Sequence, residues 1–195
     1  MSDELDRLRS EIDRLDDEIL DRLNRRAEHA HQIGMIKQGA IYRPEREARI
    51  LSRLMSESRG PLAVEAVGRI FREIMSACLA LEQPLTVAYL GPRGTFSESA
   101  TRKHFGSAPN LVNMAAIDDV FRAVEAGNAD YGVVPVENST DGAVGRALDL
   151  LISTPLKICG EIVLRVHHHL LSRQDATQAI TRLYSHAQSL AQCHE

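Results

Sequence analysis

Apolar residues in the first part of the chain recur every third or fourth position. Leu5, Leu8, Ile12, Leu15, Ile19 and Leu23 form one stripe, which Ala27, Ala30 and Ile33 continue. That spacing predicts a single amphipathic helix. Ser2 can cap its start, with Asp3 and Glu4 at the positive end of the helix dipole. The helix comes to about 35 residues, roughly 50 Å at ~1.5 Å per residue. A rod of that length cannot bury its stripe within a domain ending near Gln83 unless a partner covers it. Two shorter helices follow. One starts near Pro44 and carries Ile50, Leu51 and Leu54; the other starts near Pro61 and carries Val67, Ile70, Phe71, Ile74, Cys78 and Leu81. Proline in the first turn suits both starts. The expected product is an intertwined all-helical dimer, with a monomeric bundle or a plain coiled coil as alternatives.

After LEQPLT the pattern changes. TVAYLG (86–91) predicts a strand, SESATRKHF and DDVFRAVEAG helices, YGVVPV (131–136) a strand, GAVGRALDLLIS a helix, and LKICGEIVLRVHHHLLS a long strand region. Strands alternating with helices imply an α/β domain with a mainly parallel sheet covered on both faces. Ligands of such sheets sit beyond the carboxyl ends of the strands. Pro84 marks the break, which gives a helical domain over 1–83 and an α/β domain over 86–195.

Composition narrows the function classes. The chain has 195 residues, 44% of them apolar and none in a run long enough to span a membrane. Its N-terminus is charged from the third residue, unlike a secretory leader. Cys78, Cys159 and Cys193 are odd in number and far apart, which suits reduced thiols in a cytoplasm. The net charge of −4 argues against nucleic acid as the main partner. Cations are written almost wholly as arginine, so Lys37, Lys103 and Lys157 stand out.

In the first half, Arg26 and Lys37 lie eleven positions apart, three turns and about 20° from alignment, and project from one helix face. Arg9 is about 100° away from Arg26, and only a partner helix brings it in. Arg46 and Glu47 open the second helix, while Cys78 and Glu82 lie one turn apart late in the third. The order Arg9, Arg26, Lys37, Arg46–Glu47, Glu82 resembles the all-helical (AroQ-type) chorismate mutases, three-helix chains that intertwine as dimers and lend one arginine to each other's site. The resemblance implies a unimolecular [3,3] rearrangement of chorismate to prephenate, without cofactor or metal. Arg26 and the partner's Arg9 would hold carboxylates, Lys37 would reach the ether oxygen, and Glu47 would accept the ring hydroxyl. Arg43, Cys78 and Glu82 depart from the family pattern, which often has aspartate, serine and glutamine there. A glutamate at 82 donates only when protonated. Mutase activity is therefore expected to fall as pH rises.

In the second half, GPRGTFSESA (91–100) joins a strand to a helix, and Thr95 with Glu98 forms a capping box. The segment lacks the spacings of dinucleotide and P-loop sites. Together with VPVENSTDGAV (134–144) and YSHAQSLAQC (184–193), it resembles prephenate dehydratase, a two-lobed α/β domain like a periplasmic binding protein. Mutase followed by dehydratase is the arrangement of the bifunctional enzymes of phenylalanine biosynthesis. By that resemblance Glu137, Asn138, Ser139 and Thr140, with Thr95, line the cleft for prephenate, Asn138 foremost. Ser185, His186 and Gln192 face them from the other lobe. The chain stops at LAQCHE, inside an expected helix, and holds neither the family's Thr-Arg-Phe motif nor its ACT domain. The expectation is an incomplete second lobe, exposed apolar surface, and mutase activity without dehydratase turnover.

Other residues point elsewhere. In a strand His167 and His169 would face one way and His168 the other, with no further ligand at metal spacing, so packing is expected. A small-carboxylate binding module with a helical dimerisation domain is the alternative function. The expected partners are chorismate, prephenate and a second copy of the chain, through the first helix.

Overall fold

The computed structural model describes residues 2–36, 42–139, 142–167, 169–173, 178, 180–185 and 190. Three helices come first: α1 (Ser2–Ile36), α2 (Pro44–Glu57) and α3 (Val64–Glu82). The 35 residues of α1 match the length its stripe predicts. Pro44 is the first residue of α2. The third helix starts at Val64 rather than near Pro61, because Ala63, its cap, is still extended (φ −57, ψ 139). Helix α3 is the middle layer, packed on α1 at one side and α2 at the other. Two glycines allow the approach. A Cβ on Gly34 would lie 3.0 Å from Glu82 Cβ, and one on Gly68 would lie 3.0 Å from Met55 Sδ.

The α/β part follows as β1 (Thr86–Leu90), α4 (Phe96–Phe105), β2 (Asn110–Met114), α5 (Ile117–Glu125), β3 (Tyr131–Val133), β4 (Glu137–Asn138), β5 (Gly142–Ala143) and α6 (Gly145–Ser153). β2, β1 and β3 form a parallel sheet in that order, with Tyr89 level with Asn113 on one side and Val133 on the other. The two faces of β1 separate two cores. Val87 packs with Tyr42, Leu85 and Phe105, whereas Ala88 packs with Val120, Ala123 and Ala129. This is the period of two expected for a central strand covered on both sides.

One strand carries no local sequence signal, and one sequence expectation fails here. β2 went unrecognised because NLVNM offers only three apolar residues, bracketed and interrupted by asparagine. The expected strand over LKICGEIVLRVHHHLLS does not form among the described residues; 156–167 and 169–172 carry no ladder. An apolar run becomes a strand only where a neighbouring edge takes its backbone bonds. Here the segment crosses α4 instead, and Lys103 Nζ donates to the Val163 carbonyl at 2.6 Å. Ile158, Val163, Leu170 and Leu171 are left exposed.

The helical and α/β parts are joined by polar contacts from α3. Ser76 Oγ donates to the Phe105 carbonyl (2.7 Å) and accepts from the Ala108 N–H (3.3 Å). Glu73 accepts from the Ser107 hydroxyl (2.6 Å) and N–H (3.2 Å). Gly106, at φ 77, brings its backbone so close that a Cβ would stand 2.6 Å from Ser76.

Candidate functional site

On the helical side the half-buried positions of α1 are Leu23, Arg26, Ala27, Ala30, and Gly34. They step by three and four along one face, the face that meets α3. From α3 come Cys78, buried, and Glu82, whose Oε2 is shielded from solvent. His31 Nδ1 lies 3.3 Å from the Leu81 carbonyl, beside the Gly34–Glu82 approach. Arg26, Cys78 and Glu82 thus belong to one seam, with Arg26 about 12 Å before Gly34 along the axis. Lys37 lies outside the described residues.

Arg9 does not reach this seam. It is exposed on α1, pairing with Asp6 at 3.5 Å, and stands about 25 Å from Arg26 along the same rod. The first half of α1 differs throughout from the second. Leu5, Leu8, Ile12, Leu15 and Ile19 are 44–56% exposed, so nothing among the described residues covers this stripe.

Arg46 is exposed in the first turn of α2, while Glu47 is half-buried. The Glu47 carboxylate faces the Tyr42 hydroxyl and the Arg72 guanidinium; burial raises its pKa and those two neighbours pull it part of the way back. Tyr42 itself is buried and packs edge-on against Tyr131 (5.2 Å between centroids) and tilted against Phe105 (5.4 Å). Its oxygen lies 3.3 Å from His104 Nε2. Sequence reasoning missed Tyr42, Arg72 and His104 because they meet only in the folded chain, across 62 residues in the case of Tyr42 and His104.

On the α/β side the chain runs from β1 outward to β2 in one direction and places β3 on the other flank. The crevice at that reversal, beyond the carboxyl ends of β1 and β3, is where such sheets bind ligands. Both motif loops open there: 91–95 after β1 and 134–138 after β3. Thr95 caps α4, accepting from the Glu98 N–H and donating to the Leu90 carbonyl. Glu98 reaches back to the Gly94 N–H at 2.7 Å, one residue before the cap. That bond and Arg102 hold its carboxyl below the usual range. The VPVENSTDGAV segment is a small hairpin rather than a longer β3: Glu137 pairs with Ala143 and Asn138 with Gly142. Asn138 is half-buried, Glu137 and Ser139 are exposed, and Thr140 lies outside the described residues. Arg146, at the start of α6, donates to Asp118 at the start of α5 (Nε–Oδ2 3.0 Å) and lowers its pKa. This pair ties the start of α6 to the start of α5 and had no signal in the sequence.

Ser185 is exposed in a stretch without regular structure, and His186 and Gln192 lie outside the described residues. The two first-lobe motifs are therefore brought to one crevice, whereas among the described residues no packed element carries Ser185 toward it. His167 and His169 are exposed, outside any strand, and His168 is not described.

Comparison with known proteins follows the same division. Residues 8–83 match the family model of chorismate mutase type II, and residues 87–195 match that of prephenate dehydratase. A bifunctional chorismate mutase/prephenate dehydratase of Neisseria gonorrhoeae is 54% identical over the whole chain, which covers 56% of that protein. The protein of the same description from Pseudomonas aeruginosa is 53% identical over 99% of the chain and 55% of its own length. Prephenate dehydratase of Bacillus subtilis is 38% identical over 57% of the chain and 40% of its own length. The chain spans little more than half the length of its bifunctional relatives. It belongs to the prephenate dehydratase family, joined to a chorismate mutase type II domain at its N-terminal side.

Proposed function

We propose that the helical part, residues 1–83, isomerises chorismate to prephenate, and that residues 86–195 contribute a pocket for prephenate in its conversion to phenylpyruvate, CO₂ and water. The observation that carries the mutase assignment is the seam of α1 and α3, where Arg26 shares a half-buried face with Cys78 and Glu82. The rearrangement breaks an ether C–O bond and forms a C–C bond within one molecule. The protein has to hold the folded conformer and stabilise charge on the departing oxygen. Arg26 holds one carboxylate bidentately, as its planar fork allows. Lys37 and Glu82 act at the ether oxygen, Glu47 accepts the ring hydroxyl, and Arg46 and Cys78 line the pocket.

The second carboxylate needs Arg9, and Arg9 on the same rod is too far away. A second copy whose uncovered α1 stripe packs on this one supplies it, so the active form is a homodimer through α1. In the crevice beyond β1 and β3, Asn138 is the principal contact to prephenate, with Thr95, Glu137, Ser139 and Thr140 beside it. Ser185, His186 and Gln192 complete that pocket. The enzyme works in the cytoplasm; among the described residues no helix is long and apolar enough to cross a membrane.

Chorismate consumption followed by its ultraviolet absorbance tests the mutase assignment. The chain should convert chorismate, and Arg26→Ala should lower kcat/KM by about 100-fold or more, the effect of removing one partner from a desolvated charge pair. Unchanged turnover in Arg26→Ala overturns it.

A further inference from the structure

Tyr42 and Glu47 occupy two special positions around the start of α2. With Arg43 as the cap and Pro44 as the first helical residue, Tyr42 is the residue before the cap and Glu47 the fourth in the helix. Side chains at these two positions meet across the first turn, usually as an apolar pair. Here one member is a phenol and the other a carboxylate. The phenol ring is fixed from the far side by residues of the α/β part: Phe105 and His104 on α4, and Tyr131 on β3. Tyr42 is only 6% exposed, so its hydroxyl has few directions open to it.

We propose that Tyr42 is a positioning residue for Glu47, aiming its carboxylate at the substrate ring hydroxyl, and that the α/β part holds Tyr42 in place for this task. The proposal rests on the assignment of Glu47 to that hydroxyl. A carboxylate offers about four acceptor sites, enough to bind Tyr42 and Arg72 and still receive the substrate. The Tyr42 proton goes to Glu47, and its oxygen remains free to accept from His104. The groups around the pair are Arg72 from α3, His104 from α4, Tyr131 from β3 and Cys159 from the segment crossing α4. Arg72 is the cation among them. Tyr42 therefore serves as the main neutral donor that favours the ionised form of Glu47.

The experiment compares Tyr42→Phe, Glu47→Gln and the unaltered chain in mutase assays from pH 5 to 8. Phenylalanine keeps the ring in its aromatic cluster, and thermal unfolding verifies that the variant is folded. Tyr42→Phe should raise KM for chorismate about 3- to 10-fold, the worth of one hydrogen bond, with kcat within about twofold. Its acid limb of kcat/KM should move to higher pH, since Glu47 without its donor is protonated earlier. A purely structural role for Tyr42 changes the melting temperature and leaves the limb in place, and that result overturns the proposal while Glu47 keeps its assignment. If Glu47→Gln leaves KM unchanged, the ring-hydroxyl assignment falls and the proposal falls with it.

Discussion

His104 shows how one side chain ties pH to the union of the two parts. It stands half-buried between Tyr42 and Phe105, and burial, with the charge of Arg72 adding to it, holds its pKa below the ordinary 6.5. The unfolded chain takes up this proton near the ordinary value, while the folded chain resists it until lower pH. Between the two values the unfolded state binds more protons, so stability is full above about 6.5 and declines as pH falls through that window. His104→Phe should flatten the dependence: the melting temperature of the unaltered chain drops between pH 7.5 and 5.5, and that of the variant drops less. Equal drops would show that His104 protonates without cost in the folded protein. Single residues of this kind were the hardest to foresee. Arg26 and Glu82 stood out through resemblance, whereas His104, Tyr42 and Arg72 carry no local pattern and acquire meaning only from contacts made across the fold.

Periodicity exposed the helices because each has one face to bury, and three-and-four spacing states this without reference to anything distant. α1, α2, α4 and α5 follow from it. Strands were less legible. β1 has a compact apolar run, but β2, of equal length, has asparagine at its first and fourth positions. A parallel sheet needs a strand between successive helices, and that connection rule was the signal available for it. The stretch after α6 failed in the opposite direction, apolar enough for a strand yet, among the described residues, paired with neither outer strand of the sheet. Glycines that let elements approach were legible as glycines and not as contacts. Gly106 is the decisive one, with φ 77 and Ser76 directly against the place of a side chain. Gly106→Ala both strains the backbone and pushes α3 from the turn it grips, a cost of about 2 kcal/mol or more. The melting temperature should fall by several degrees; a fall no greater than that of Gly127→Ala, also at positive φ but in open space, would show that the Ser76 contact adds nothing.

At the scale of the molecule, α3 serves the α/β part as well as the two helices it packs on. One side of it forms the seam with α1, and Glu73 and Ser76 on it grip the turn of the α/β part. α3 is therefore common to both candidate sites, and the crevice beyond β1 and β3 is built on a sheet whose Val87 face packs against Leu79 of the same helix. The length of α1 has a further result. Because Arg9 and Arg26 cannot serve the same pocket from one rod, defects in them should be complementary between copies. Chains bearing Arg9→Ala and chains bearing Arg26→Ala should each be nearly inactive alone. When equal amounts are unfolded and refolded together, half the pairs are mixed, and each mixed pair regains one intact pocket of its two. Recovery of about a quarter of the unaltered activity is the expected result. Recovery of none would mean that both arginines act within a single chain, which the length of the rod forbids, and full activity of Arg9→Ala by itself would mean that Arg9 has no part in the reaction.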